Sequence, residues 1–124
     1  MPTCFVIMPI TTPVVVREVY RDADHFAHVL QHLFTPALEG LGYDVVPPAA
    51  AGSDVIQGEI IRNLDEADLV LCDMTTLNAN VFFELGIRTA LDKPVATVRD
   101  MHTDSIPFDH SIVNCHQYDG RLEP

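Results

Sequence analysis

A chain of 124 residues, 48% of them hydrophobic, has room for one domain around one core and is too apolar for a disordered tail. Its formal charge is -11, with seven Lys and Arg scattered from Arg17 to Arg121, which excludes a basic groove for nucleic acid. No segment approaches the roughly 20 apolar residues that span a bilayer, and the N-terminal apolar run lacks the basic flank of a signal peptide, so a cytoplasmic protein without a membrane partner is expected.

Residues 3–8 (TCFVIM) form a continuous apolar run, the mark of a strand covered on both faces as in parallel sheets. Pro9 and Pro13 enclose a short loop, and residues 14–21 read equally as strand (VVV) or as the start of a helix (REVY), a connection that helps roof a site. From Ala23 the period becomes helical, with Phe26, Val29, Leu30, Leu33 and Phe34 on one face. Pro36 is expected to kink or restart this helix, Thr35 to cap its second piece, and Gly40 and Gly42 to stop it. Residues 43–46 form a second strand and 47–52 (PPAAAG) a loop. Ser53 or Asp54 then caps a helix carrying Val55, Ile56, Ile60, Ile61 and Leu64. Residues 69–72 are a fully apolar, central third strand. A helix over 80–92, a fourth strand at 94–98 and a fifth at 111–118 complete the chain.

Strands alternating with helices over short loops predict one α/β domain over 1–124, with a flavodoxin-like five-stranded parallel sheet in the order 2-1-3-4-5 and helices on both faces. Ligands of such sheets bind beyond the carboxyl ends of the strands, near the switch point between the first and third. That rule places the loop at Met8 and Pro9 beside the turn at Asp73.

The stretch over 67–94 (ADLVLCDMTTLNANVFFELGIRTALDKP) therefore carries the chemistry. Asn78 or Asn80 can cap the helix, and Glu84, four residues beyond Asn80, shares its face. Helical side chains lean toward the N-terminus, which aims Glu84 back at the strand ends. Gly86 is expected to let the helix approach the sheet, with Val81 and Leu85 buried against it. A carboxylate so placed suits cleavage at an anomeric carbon, where it stabilises or attacks the positive charge that builds on the sugar ring. Nicotinamide leaves NAD as a neutral base and needs one carboxylate only; if the leaving base must be protonated, Asp73 is the nearest acid.

The pieces CFVIMP, PALEGLGY, IRNLDEADLVLCDMTTLNANVFFELGIRTALDKPV and IPFD resemble the superfamily of nucleoside 2-deoxyribosyltransferases and bacterial TIR-like domains, over most of the chain. The segment NANVFFELG, residues 78–86, is its most specific part. The resemblance implies that Glu84 is the catalytic glutamate, that Asp73 is the family's strand-end aspartate, and that Met8 and Pro9 line the pocket. It further implies an N-glycosidase, with NAD cleavage as an effector of antiviral defence first, and nucleoside deoxyribosyl transfer or nucleotide hydrolysis second. A non-catalytic self-assembly module of the TIR type is the reading from another class. Homo-oligomerisation driven by a fused or separate sensor follows from the same resemblance, and an end at Glu123-Pro124 suits a domain excised from a longer effector. Two departures are visible: Ala79 stands where many relatives carry proline, and the stretch over 13–25, in the pocket roof, is longer than usual.

Phe82 and Phe83 are candidates to stack on a base, against the alternative of filling core. His25, His28 and His32 fall along one side of a helix, where a metal bridge competes with a solvated flank; the flank is expected, and no metal. Cys4, Cys72 and Cys115 lack CxxC spacing and read as buried thiols. No GxGxxG or GxxxxGK occurs, so NAD would be substrate and no cofactor is expected.

Overall fold

The computed structural model describes residues 1–48, 54–102 and 115–122. The strands β1 (Thr3–Ile7), β2 (Asp44–Val46), β3 (Leu69–Asp73), β4 (Val95–Asp100) and β5 (Cys115–Tyr118) form a five-stranded sheet ordered β2-β1-β3-β4-β5. Each pairing is parallel, with Phe5 opposite Val70, Leu71 opposite Ala96 and Val98 opposite His116. The alternation of apolar runs with helical periods thus yields the expected α/β flavodoxin-like architecture.

Period-two alternation along the strands divides the core between the two faces. Cys4, Val6, Met8 and Leu71 pack on Val16, Phe26, Val29, Phe34 and Leu38, which come from α1 (Val14–Tyr20), α2 (His25–Val29), the turn of π-helix over Leu30–Phe34 and α3 (Thr35–Gly40). Phe5, Ile7, Val70 and Cys72 point the other way, onto Leu64 of α4 (Asp54–Glu66) and Val81 of α5 (Ala79–Ala90). Phe5, Ile7 and Val70 are fully buried, and each such side chain contributes about 1.5–3 kcal/mol of transfer free energy.

Several boundaries differ from the sequence expectation. The ambiguous residues after Pro13 are helical: i,i+4 spacing puts Val16 and Tyr20 on the core side while Val14, Val15 and Val19 stay exposed, so packing outweighs the β propensity of VVV. Thr35 does not cap and Pro36 does not interrupt. Thr35 has helical angles, and its N–H reaches back five residues to the Leu30 carbonyl. This wider turn falls where proline removes a donor from the i→i−4 ladder, and the helical run continues to Gly40. Gly42, at φ 92°, makes the stop, with its N–H on the Glu39 carbonyl at 3.0 Å and that of Tyr43 on Leu38 at 3.1 Å. β3 includes Asp73, and β4 runs on to Asp100. The cap at Ser53, the side chains of Val55 and Ile56, the loop over 49–52, the segment IPFD and residues 111–114 lie outside the described residues.

Arg88, 0% exposed, closes the end of the sheet opposite the candidate site. Its Nη1 donates to the Leu64 carbonyl at 2.8 Å, and its Nε and Nη2 to that of Pro94 at 3.1 and 2.9 Å, tying α4 to the connection before β4. Cys4 and Cys72 are buried, Cys115 partly so, and all are free thiols. Cys72 and Cys115 flank Thr97 in register, two strand spacings or roughly 9.5 Å apart, too far for a disulfide.

Candidate active site

The carboxyl edge of the sheet is built on the turn between β3 and α5. Asn78, rather than Asn80, caps α5: its Oδ1 accepts from the N–H groups of Asn80 at 2.9 Å and Val81 at 3.2 Å. Between strand and cap, Thr76 adopts a left-handed conformation at φ 68°. That is rare for a β-branched residue and costs on the order of 1–3 kcal/mol, so the surroundings must hold it.

Asp73 supplies the hold. It is fully buried, and its Oδ1 accepts from the Thr75 N–H at 3.0 Å and the Thr75 hydroxyl at 2.6 Å, while its Oδ2 accepts from the Tyr118 hydroxyl at 2.7 Å. Thr75 Oγ1 accepts in turn from the Asp100 N–H at 2.9 Å. Asp100, also 0% exposed, accepts from the Tyr20 hydroxyl at 2.5 Å and from the N–H groups of Gly120 at 3.1 Å and His102 at 3.2 Å. A Cβ on Gly120 would stand 2.7 Å from the Tyr20 hydroxyl and 2.9 Å from an Asp100 oxygen, so only glycine closes this network. Burial pushes the Asp73 carboxyl up to about 6, against the opposing hydrogen bonds from Thr75 and Tyr118.

Glu84 is in the opposite condition. It is half-buried and accepts no hydrogen bond among the described residues, and burial pushes its carboxyl up to about 7. It lies over the end of β3: the Cys72 thiol is held up by burial and then by the charges of Asp73, Cys115 and Glu84. Val81, 3% exposed, with Phe82 and Leu85 packed beside it, fixes this face of α5 on Cys72 and Met74.

The residues singled out from sequence divide between the two sides of the sheet edge. Asp73 follows Leu71 in the strand alternation and shares its side with Met8, which is in the core, and Pro9 is buried as well. Phe82 and Glu84 belong to the α5 side, and Asn80 and Phe83 are exposed, Phe83 at 69%. Phe82 is partly buried and packed against the core on the α5 side. The expectation for Gly86 fails: it is exposed, and nothing lies within 4 Å of where its Cβ would be, because the small residue falls on the outer face of α5. The solvated flank fails for His25, which is 2% exposed and stacked on Tyr20 with ring centroids 4.1 Å apart, because α1 folds back over the start of α2. His28 pairs with Asp22 at 2.6 Å, and its ring centre lies 6.1 Å from that of His32. Among the described residues no three His, Cys, Asp or Glu gather as a metal site would require.

Sequence reading missed Thr75, Asp100 and Tyr118. One signal was there to use: the runs LVLCD and VATVRD each end an apolar strand on an aspartate, and neighbouring parallel strands bring such ends together. No helix among the described residues is long and apolar enough to cross a membrane.

No protein-family model matches the chain, and no curated protein sequence matches it. Among solved structures it is similar to a 2-desoxiribosyltransferase from Leishmania mexicana, at 20% identity and a TM-score of 0.53, over 97% of this chain and 76% of that one. At that identity the likeness concerns the fold.

Proposed function

We propose that the protein breaks N-glycosidic bonds, with Glu84 as the group that meets the anomeric carbon, and that its substrates are uncharged nucleosides. The observation that carries this reading is a half-buried carboxylate without a hydrogen-bond partner among the described residues, held at about 7 over the carboxyl end of β3. An unpaired carboxylate raised by burial is a poor structural element and a good nucleophile once ionised. A Glu84 oxygen forms a bond to the anomeric carbon, the carbon–nitrogen bond breaks with its electron pair going to the base, which takes a proton from solvent, and water or a second base then displaces the glutamate and gives up a proton in turn. The solved neighbour is named as a deoxyribosyltransferase, which favours a base as acceptor.

Charge favours a neutral substrate. The buried carboxylates of Asp73 and Asp100 end β3 and β4, half-buried Glu84 stands on α5, and Arg121 is already bound to Asp119 at 2.7 Å, so this end of the sheet repels the phosphates of a dinucleotide. One observation favours NAD instead. Both oxygens of Asp73 are engaged, so it is not free to protonate a departing base, and nicotinamide needs no such acid. In either case Asp73 serves as a positioning residue that holds the strained turn from which α5 and Glu84 project.

The test is to incubate the protein with 2′-deoxynucleosides, with and without an acceptor base, and separately with NAD, at low protein concentration and under forced self-association. Exchanged base marks transfer, free base alone marks hydrolysis, and nicotinamide release alone promotes the second reading. No product from either substrate class sinks both.

A further inference from the structure

A cavity opens beyond the ends of β4 and β5, on the α1 side of the sheet, with a volume of about 580 Å³. None of the residues assigned above to the chemistry of Glu84 lines it. Its walls are Val19 and Tyr20 from the end of α1, His25 from the start of α2, and His102, Gly120 and Leu122 from the segments after β4 and β5. His25 is 2% exposed, yet its Nε2 has no hydrogen-bond partner among the described residues. A buried imidazole nitrogen left open forfeits on the order of 1–3 kcal/mol, which a ligand in the cavity could recover.

The remaining lining limits what that ligand is. The charged groups at the rim already have partners: Asp22 holds His28 at 2.6 Å, and Asp119 takes both His102 at 2.9 Å and Arg121 at 2.7 Å. Each charged group in the lining therefore already has a partner of opposite sign, and none is left over to anchor an ionic ligand. Val19 and Leu122, 49% and 37% exposed, offer apolar surface, and Tyr20, stacked on His25 with the rings 4° from parallel, adds an aromatic side chain to the wall. Burial keeps His25 neutral, so its imidazole can meet a hydrogen-bond partner without a charge cost. The volume is that of a small-ligand site and leaves ample room for a one- or two-ring compound.

We infer that this cavity binds an uncharged, planar nitrogen heterocycle, of the class of the free nucleobases, through a hydrogen bond to His25 and packing against Tyr20, Val19 and Leu122. The binding does not depend on the reaction proposed for Glu84. If that reaction holds, the ligand is chemically its product or acceptor. The Tyr20 hydroxyl in the cavity wall is bonded to Asp100, whose N–H is bonded to Thr75 and so to Asp73. An occupied cavity thereby touches the network that holds the turn before α5.

Adenine is the probe, titrated into protein labelled with 15N at histidine and followed at the His25 ring nitrogens. A saturable shift at millimolar adenine is expected in the wild type and equally in Glu84→Gln. His25→Phe keeps the ring and removes the nitrogen, and should weaken binding about tenfold, the worth of one hydrogen bond. Leu122→Trp, at an exposed position, fills the cavity and should abolish binding, and it preserves the test if His25→Phe does not fold. Absence of a saturable shift in the wild type overturns the inference. Adenine binding that survives both cavity variants but is lost in Glu84→Gln overturns it too, because it places the base at the other site.

Discussion

Two carboxylates stand at one strand edge and meet opposite fates. Asp73 is fully buried and saturated, with three hydrogen bonds from Thr75 and Tyr118. Glu84 is half-buried and accepts none among the described residues. Burial raises both, Asp73 to about 6 and Glu84 to about 7, so a perturbed pKa does not separate a scaffold carboxylate from a reactive one. Hydrogen-bond satisfaction does. A saturated carboxylate has its lone pairs committed to holding a turn, whereas an unsatisfied one keeps them for a substrate.

The largest effect expected from this contrast is on the rate of Glu84→Gln, which should lose about a thousandfold or more in glycosidic bond cleavage while its urea unfolding midpoint holds or rises. A variant that keeps its rate would end the case for Glu84. Asp73→Ala should act chiefly on stability, losing about 2–3 kcal/mol in urea unfolding because the Thr75 and Tyr118 hydroxyls lose a buried acceptor. If it instead abolished turnover without lowering the unfolding midpoint, the two carboxylates would have to exchange roles.

The pH dependence sharpens the same comparison. Both folded-state values lie above the unfolded ones, 3.8 for Asp73 and 4.5 for Glu84, so the fold prefers the protonated forms. Their contribution to stability is complete below about 4 and is lost as pH rises toward 6 for Asp73 and 7 for Glu84. Unfolding midpoints measured from pH 4.5 to 8 should show a shallower decline in Glu84→Gln than in the wild type. The rate at limiting substrate should rise over the same range with a midpoint near 7, as the nucleophile ionises. The smallest effect belongs to Gly86→Ala. With open space around the position, it should gain roughly 0.5–1 kcal/mol in thermal or urea unfolding from helix propensity alone. A loss would mean that the outer face of α5 is covered by something that needs a glycine.

The strand runs, the helical periods and the short connections were legible because they depend on local spacing, and they were enough for the parallel sheet and its order. The place of Glu84 in the second turn of α5 was legible for the same reason, although it lies six residues past the Asn78 cap rather than four past Asn80. Which asparagine caps was not, since Asn78 and Asn80 are equally good on chemistry and the backbone of the preceding turn decides between them. The inward turn of His25 depends on α1 folding back across it, the solvent position of Gly86 on the rotation of α5, and the course through Pro36 on a single wider turn. The satisfaction of Asp73 needs Thr75 from its own turn and Tyr118 from the last strand, two residues that sequence spacing does not bring together. The chain by itself determined the sheet, its order and the helix that carries Glu84, because periodicity and turn chemistry act over neighbouring residues. Only the tertiary structure decided that Asp73 is saturated while Glu84 accepts no hydrogen bond among the described residues, because the second Asp73 oxygen is engaged by Tyr118, 45 residues on, which arrives only when β4 and β5 align beside β3.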